Sequence, residues 1–143
     1  MVDSLLIAVD GSERATEAAE LAVELASTVE ASLEAIFVAE RRPVYTKQGG
    51  SILAQDAVVE EEIDYGQQVL DEVESLAADA EVPFEGTVRT GMPATVISEF
   101  AEERDVDAIV VGTAGRQGVV ERFVGNTAER VLRASPVTVI AVR

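Results

Sequence analysis

The stretch AIVVGTAGRQGVVERFVGNTAERVL, from Ala108 to Leu132, decides how this chain folds. It opens with a short apolar run that predicts a buried strand ending at Gly112. A helical pattern then starts at Asn126, and three glycines precede it: Gly115, Gly118 and Gly125. A strand, a glycine-rich loop and a helix N-terminus together offer backbone N–H groups to an anion. The stretch therefore predicts a ligand-binding loop, with a loop that binds nothing as the alternative.

The spacing of these glycines excludes two familiar nucleotide motifs. Gly112-x-x-Gly115, followed by nine residues and Gly125, is not the G-x-G-x-x-G of dinucleotide-binding proteins. It is not a Walker A loop either, because no Gly-Lys-Ser/Thr occurs and Lys47 is the only lysine.

The pattern resembles the G-2x-G-9x-G-(S/T) motif of the universal stress protein family, in which the loop holds the ribose and phosphates of ATP. Gly112, Gly115 and Gly125 match it, and Asn126 stands where the family usually has Ser or Thr. The resemblance implies ATP, ADP or AMP as ligand, with Mg²⁺ or Mn²⁺ carried by the phosphates. The nucleotide-binding residues that it implies are Ala8, Val9, Asp10, Val38, Gly112, Thr113, Gly115, Arg116, Gly125, Asn126 and Thr127. A family member that binds no nucleotide stays an alternative.

The rest of the chain alternates strand and helix patterns. Apolar runs predict strands at five places: Leu5 to Val9, Ser32 to Val38, Phe84 to Arg89, Ala108 to Val111 and Val137 to Val142. Helical spacing of apolar residues lies between them, so we expect an α/β fold with a parallel sheet and helices on both faces. The family resemblance implies the Rossmann-like strand order 3-2-1-4-5 in a single domain over residues 1–143.

Asp10 stands at the carboxyl end of the first predicted strand, where open α/β sheets bind ligands. It also matches the Asp of the family's V-D-x-S strand end, while a side chain that only caps a turn is the alternative. Val38 ends the second strand, where the family uses a backbone group to contact adenine.

Two segments in the first half of the chain have less regular patterns. Glu40 to Gln55 contains Pro43 and two glycines, which predicts an irregular loop, either a lid near phosphates or a solvated surface segment. Asp56 to Ala80 has an apolar stripe at helical spacing, which predicts one long helix.

Composition excludes several chemistries. The chain has no cysteine and no histidine, so disulfides, thiolate metal sites and the commonest general base are absent. The net charge of −16 argues against binding to nucleic acid or to an anionic membrane. No signal peptide or long apolar run occurs, and we therefore expect a cytoplasmic protein.

Two other functions remain as alternatives to nucleotide binding without turnover. A slow ATPase is possible, although no histidine or nearby lysine could support fast turnover. A flavin-binding module is disfavoured by the low aromatic content of 4%.

Val137 to Val142 is the edge strand in the implied order and carries no blocking charge. We therefore expect a homodimer formed through this strand, as the family resemblance also implies.

The acidic composition predicts dependence on salt. Acidic residues number 27 against 11 basic ones, and only one base is a lysine, which favours a halophilic, archaeal-type source. Dialysis into low-salt buffer should unfold the protein, because repulsion between its carboxylates is then unscreened. Circular dichroism during the dialysis measures this, and a spectrum that stays fully folded would contradict the prediction.

Overall fold

A computed structural model describes residues 1–40, 42–48, 51–57, 60–113 and 119–143, with the backbone alone described for 42–48, 51–57 and 119–126. Its strands are β1 (Ser4–Val9), β2 (Ser32–Ala39), β3 (Arg42–Gln48), β4 (Ser51–Ala57), β5 (Phe84–Thr90), β6 (Ala108–Gly112) and β7 (Thr138–Val142). Its helices are α1 (Glu13–Val29), α2 (Glu60–Asp79), α3 (Pro93–Glu103) and α4 (Val119–Ala134). Among the described residues, no helix is both long enough and apolar enough to span a membrane.

The main sheet contains five parallel strands in the order β5-β2-β1-β6-β7. Counted along the chain within this sheet, the order is 3-2-1-4-5, which confirms the predicted α/β class and topology. β1 lies in the middle, and the chain adds β2 and β5 on one side before it adds β6 and β7 on the other. The winding direction therefore reverses beside β1, at its junction with β6.

The core has two layers, one on each face of the sheet. Successive residues of a strand point to opposite faces, so Leu5 and Ile7 pack with α1 and α2 while Leu6 packs with α3 and α4. All three side chains are at most 1% exposed. Burial on both faces explains why the central strands are continuous apolar runs.

The buried face of helix α1 consists mostly of alanine, whose small side chains allow close packing on the sheet. Its buried residues are Ala15, Ala18, Ala19, Ala22, Val23 and Ala26. Ser12 caps the helix, since its Oγ accepts a hydrogen bond from the backbone N–H of Ala15 at 3.1 Å. The capped N-terminus of α1 is thereby held close to the carboxyl end of β1.

The segment after β2 is not the predicted irregular loop. β3 and β4 form a separate two-stranded antiparallel sheet, with Gln48 paired to Ser51 at one end and Arg42 to Ala57 at the other. The predicted helix from Asp56 was also wrong at its start. Asp56 and Ala57 pair with β3, and α2 begins at Glu60.

The β5 edge of the main sheet carries an ionic cluster. Arg89 Nη2 lies 3.3 Å from Glu103 Oε1, and Arg104 Nη1 lies 3.3 Å from Glu85 Oε2. Both guanidinium groups also lie over the ring of Phe100, at 5.3 and 5.1 Å from its centroid. Charges therefore cover this edge of the sheet.

Glu34 is the most enclosed member of that cluster. Burial raises the pKa of its carboxyl above the ordinary value, and the Arg104 guanidinium, 3.4 Å from Glu34 Oε1, opposes that shift. This ion pair is partly shielded from water, whereas the Arg89 pair is exposed.

At the opposite, amino-terminal end of the strands, Asp107 links β1 to the turn before β6. Its Oδ2 accepts hydrogen bonds from the backbone N–H groups of Asp3 at 2.7 Å and Ser4 at 3.0 Å. These two bonds lower the pKa of the Asp107 carboxyl, because they stabilise its charged form. The carboxylate thus fixes the start of β1 against its neighbour.

Candidate functional site

A cleft of about 550 Å³ opens at the carboxyl ends of β1, β2 and β6. It lies where the winding direction of the sheet reverses, which is the usual ligand position in open α/β sheets. The described residues that line it are Ala8, Val9, Asp10, Ala15, Ile36, Phe37, Val38, Glu40, Glu62, Pro93, Ile97, Val111, Gly112, Thr127 and Ala128. Its volume falls within the range of about 300–1,000 Å³ that is typical of ligand pockets.

Six of the eleven sequence-predicted site residues lie in this cleft. They come from four elements that are distant in the sequence: Ala8, Val9, Asp10, Val38, Gly112 and Thr127. The fold brings them together because β1 pairs with both β2 and β6, which places three strand ends side by side.

Asp10 has the turn-capping role that was the alternative interpretation. Its Oδ1 accepts a hydrogen bond from the backbone N–H of Ser12 at 2.9 Å. This bond uses one carboxylate oxygen, and the residue is exposed at the cleft. Capping the turn is therefore compatible with a ligand contact through the second oxygen.

Gly112 has a structural reason to be glycine. A Cβ at this position would lie 2.8 Å from the carbonyl oxygen of Arg14 in α1, closer than real Cβ contacts come. The backbone N–H and the Oγ1 of Thr113 both donate to the carbonyl oxygen of Val142, at 2.8 and 3.0 Å. Thr113 therefore fixes the end of β7 and is not among the cleft-lining residues.

The remaining glycine-motif residues are placed only in part. Gly115 and Arg116 lie outside the described residues. Gly125 and Asn126 lie inside α4, which begins at Val119, so the prediction that a helix opens at Gly125 was wrong. Apolar residues at Val119, Val120, Phe123 and Val124 continue the helical spacing upstream. One internal glycine costs a helix only about 1 kcal/mol.

Sequence reasoning missed the apolar walls and two carboxylates of the cleft. Ile36 and Phe37 come from β2, while Pro93 and Ile97 come from the first turns of α3. The sequence signal for α3 was Gly91-Met92-Pro93, which indicates a strand-to-helix turn and nothing about a ligand. The carboxylates are those of Glu40 and Glu62.

Helix α2 contacts the cleft through an aromatic pair. The rings of Phe37 and Tyr65 meet edge to face with centroids 6.0 Å apart. Gly66 allows this approach, since a Cβ there would lie 2.5 Å from the ring of Phe37. The Tyr65 hydroxyl points at the carbonyl oxygen of Gly11, 3.5 Å away. The first turns of α2 thus border both β2 and the loop that holds Asp10.

The described residues contain no group of three or more carboxylates arranged to hold a metal ion. Asp10, Glu40 and Glu62 line one cleft but do not form such a group. Where a divalent cation accompanies a nucleotide, the phosphates supply most of its ligands.

The fold defines an α/β protein of doubly wound topology, with a cleft at the reversal of the sheet. Comparison with known proteins gives the family: residues 1–143 match the Universal stress protein family, and the chain belongs to it. A universal stress protein of Methanocaldococcus jannaschii is 33% identical, covering 97% of this chain and 81% of that protein. One of Bacillus subtilis is 30% identical over the full length of both.

Solved structures of the family share the fold. A universal stress protein from Burkholderia pseudomallei has a TM-score of 0.78 at 24% identity, covering 99% of this chain and 96% of that one. A universal stress protein in complex with cAMP has a TM-score of 0.75 at 23% identity, covering 99% and 97%. One from Archaeoglobus fulgidus in complex with dAMP has a TM-score of 0.71 at 22% identity, covering 100% and 98%.

The contact between Gly112 and α1 predicts a stability difference between two glycine variants. Gly112→Ala should destabilise the protein by about 1–3 kcal/mol, because backbone atoms of Arg14 leave no room for a Cβ. Gly86→Ala is the matched control on exposed β5, where the nearest atoms are side-chain carbons at 3.3 Å. Urea unfolding of both variants measures the difference, and equal midpoints would contradict this explanation of Gly112.

Proposed function

We propose that this protein binds ATP or a related adenine nucleotide in the cleft and turns it over slowly or not at all. The observation that carries the proposal is the cleft itself, built from the carboxyl ends of three adjacent parallel strands. Two family members solved with cAMP and dAMP support the class of ligand. The family name supports a role in the response to stress.

The chemistry of the cleft suits a nucleotide at both ends. Half-buried apolar side chains at the end of β2 and the start of α3, Val38 and Pro93, offer contact surface for a base. Gly112 and Thr127 lie at the β6 end, next to the glycine-rich segment that would bind ribose and phosphates. In this proposal Gly115, Arg116, Gly125 and Asn126 complete the phosphate side, with Mg²⁺ or Mn²⁺ carried by the phosphates.

Slow turnover follows from the side chains available for acid–base chemistry. The chain has no histidine, and its one lysine lies far from the motif in sequence. Asp10 accepts one hydrogen bond from the Ser12 N–H, and its remaining lone pairs could at best position a water. A binding protein is therefore favoured over an enzyme, with a slow ATPase or an AMP-binding member as alternatives.

Filling the cleft tests the proposal. Val38 is half-buried and lines the cleft, so Val38→Trp should weaken binding of ATP·Mg and AMP by about ten-fold or more, as the indole occupies ligand space. The matched control is Val29→Trp, the same change at an exposed position at the end of α1. Isothermal titration calorimetry in high salt measures both.

Two further results on the same samples decide the details. Circular dichroism must show that both tryptophan variants are folded. Phosphate release by the parent protein should stay below the ordinary enzyme range of roughly 1 s⁻¹. If the parent binds no adenine nucleotide, or if Val38→Trp binds as well as Val29→Trp, the cleft is not the nucleotide site.

We also propose a homodimer formed through the β7 edge. In the described structure β7 pairs only with β6, and its other side carries no charged residue before Arg143. An unprotected edge of this kind pairs readily with a second copy in an isologous contact.

Light scattering tests the dimer. The parent should have twice the mass of the chain at micromolar concentration in molar KCl. Ile140→Pro should convert it to a monomer, because proline disrupts strand pairing. The corresponding control is Val88→Pro on the charged β5 edge, which should leave the mass unchanged. A parent that is monomeric under these conditions would refute the proposal.

A further inference from the structure

Two carboxylates line the β2 side of the cleft. Glu40 directly follows β2, and Glu62 is in the first turn of α2, which packs against β2. Gly112 and Thr127 lie at the other end, beside β6. Because β1 separates β2 from β6, the two ends are roughly 10 Å apart at the usual strand spacing.

This arrangement orients a nucleotide in the cleft. Phosphates are repelled by carboxylates at the β2 end and are therefore expected toward the β6 end. The base then occupies the β2 end, beside the half-buried side chains of Val38 and Pro93. The inference that follows rests on the proposed function, since it concerns the same site.

Glu62 differs from its acidic neighbours on α2. Glu60 and Glu61 are exposed, whereas Glu62 is half-buried and lines the cleft. Three acids at a helix N-terminus are readily explained by the helix dipole, but that interaction does not require one of them to face the cleft. Within the described part of the chain, the side chain of Glu62 forms no hydrogen bond or ion pair.

An ionised carboxylate beside a base can only accept hydrogen bonds. The edge of adenine has one donor group, the exocyclic amine at position 6. We propose that Glu62 accepts a hydrogen bond from this 6-amino group and thereby determines which purines the cleft selects. A purine that lacks the amine leaves the carboxylate without its partner, which costs affinity.

The test pairs a change in the ligand with a change in the protein. AMP and purine riboside 5′-monophosphate differ only in the 6-amino group, so their affinity ratio isolates the contribution of the amine. For the parent we expect AMP to bind about ten-fold more tightly, the usual size of one base-edge contact. In Glu62→Ala the ratio should fall to near one.

Matched variants separate the hydrogen bond from the charge. Glu61→Ala removes one negative charge from the same helix turn at an exposed position, so it should keep the ten-fold ratio. Glu62→Gln keeps an acceptor oxygen without the charge and should give an intermediate ratio. Because each ratio compares two ligands of equal charge, a general electrostatic effect of the substitution cancels.

The possible outcomes distinguish this inference from the proposed function. If AMP binds the parent but the ratio is unchanged in Glu62→Ala, the inference is overturned and nucleotide binding stands. If the ratio falls in Glu40→Ala and not in Glu62→Ala, Glu40 contacts the amine and the assignment to Glu62 is wrong. If the parent binds neither ligand, both the proposed function and the inference fail.

Discussion

The close approach of α1 to the sheet determines where every other part of the site can lie. A face of small side chains lets the helix axis come near the strands, and at Gly112 the backbones approach until no Cβ fits. The N-terminus of α1 is consequently held at the carboxyl ends of β1 and β6. The loop that carries Asp10 is short and fixed for the same reason, because Ser12 both caps the helix and donates its N–H to Asp10. One packing contact thus sets the depth of the cleft and positions its central carboxylate.

The elements that the sequence predicted well are those determined by local burial. β1 and β6 are buried on both faces, so each is a continuous apolar run that cannot be mistaken for surface structure. The strand order followed from the resemblance carried by the glycine spacing, and the structure confirms it. Ser12 stands directly before a regular alanine pattern in the sequence, and its hydroxyl caps α1 in the structure.

The failures have a different physical origin. β3 and β4 are stabilised by pairing with each other, and neither has an apolar pattern that could be recognised in isolation. The sequence predicted the start of α4 too late, because Gly125 was interpreted as a helix boundary. A helix tolerates one glycine in its interior. The walls of the cleft come from β2 and α3, whose approach to β1 depends on packing over the whole sheet. Glu62 could not be singled out from Glu60 and Glu61 by sequence, because all three occupy one helix turn.

Electrostatic repulsion between the protein and its proposed anionic ligand differs between long and short range. A net charge of −16 repels an anionic nucleotide approaching from solution, and carboxylates also line part of the cleft. Salt at physiological strength screens this repulsion beyond about 8 Å, so the distant carboxylates have little effect on a bound ligand. Only the carboxylates that line the cleft then act on the ligand. In the proposed binding mode, their repulsion favours the orientation that keeps the phosphates away from them.

The ionic cluster on β5 has a consequence for the size that any assembly can reach. Arg89 and Arg104, held over Phe100 and paired with acidic partners, place charge beside β5, while the sequence of β7 has no charged residue before Arg143. A sheet extended through β7 by a two-fold contact, as proposed above, would have a β5 edge at each outer end. Charged side chains disfavour the pairing of a further strand at such an edge. In the proposed dimer, the charges at both ends would oppose the open-ended stacking of strands that produces fibres.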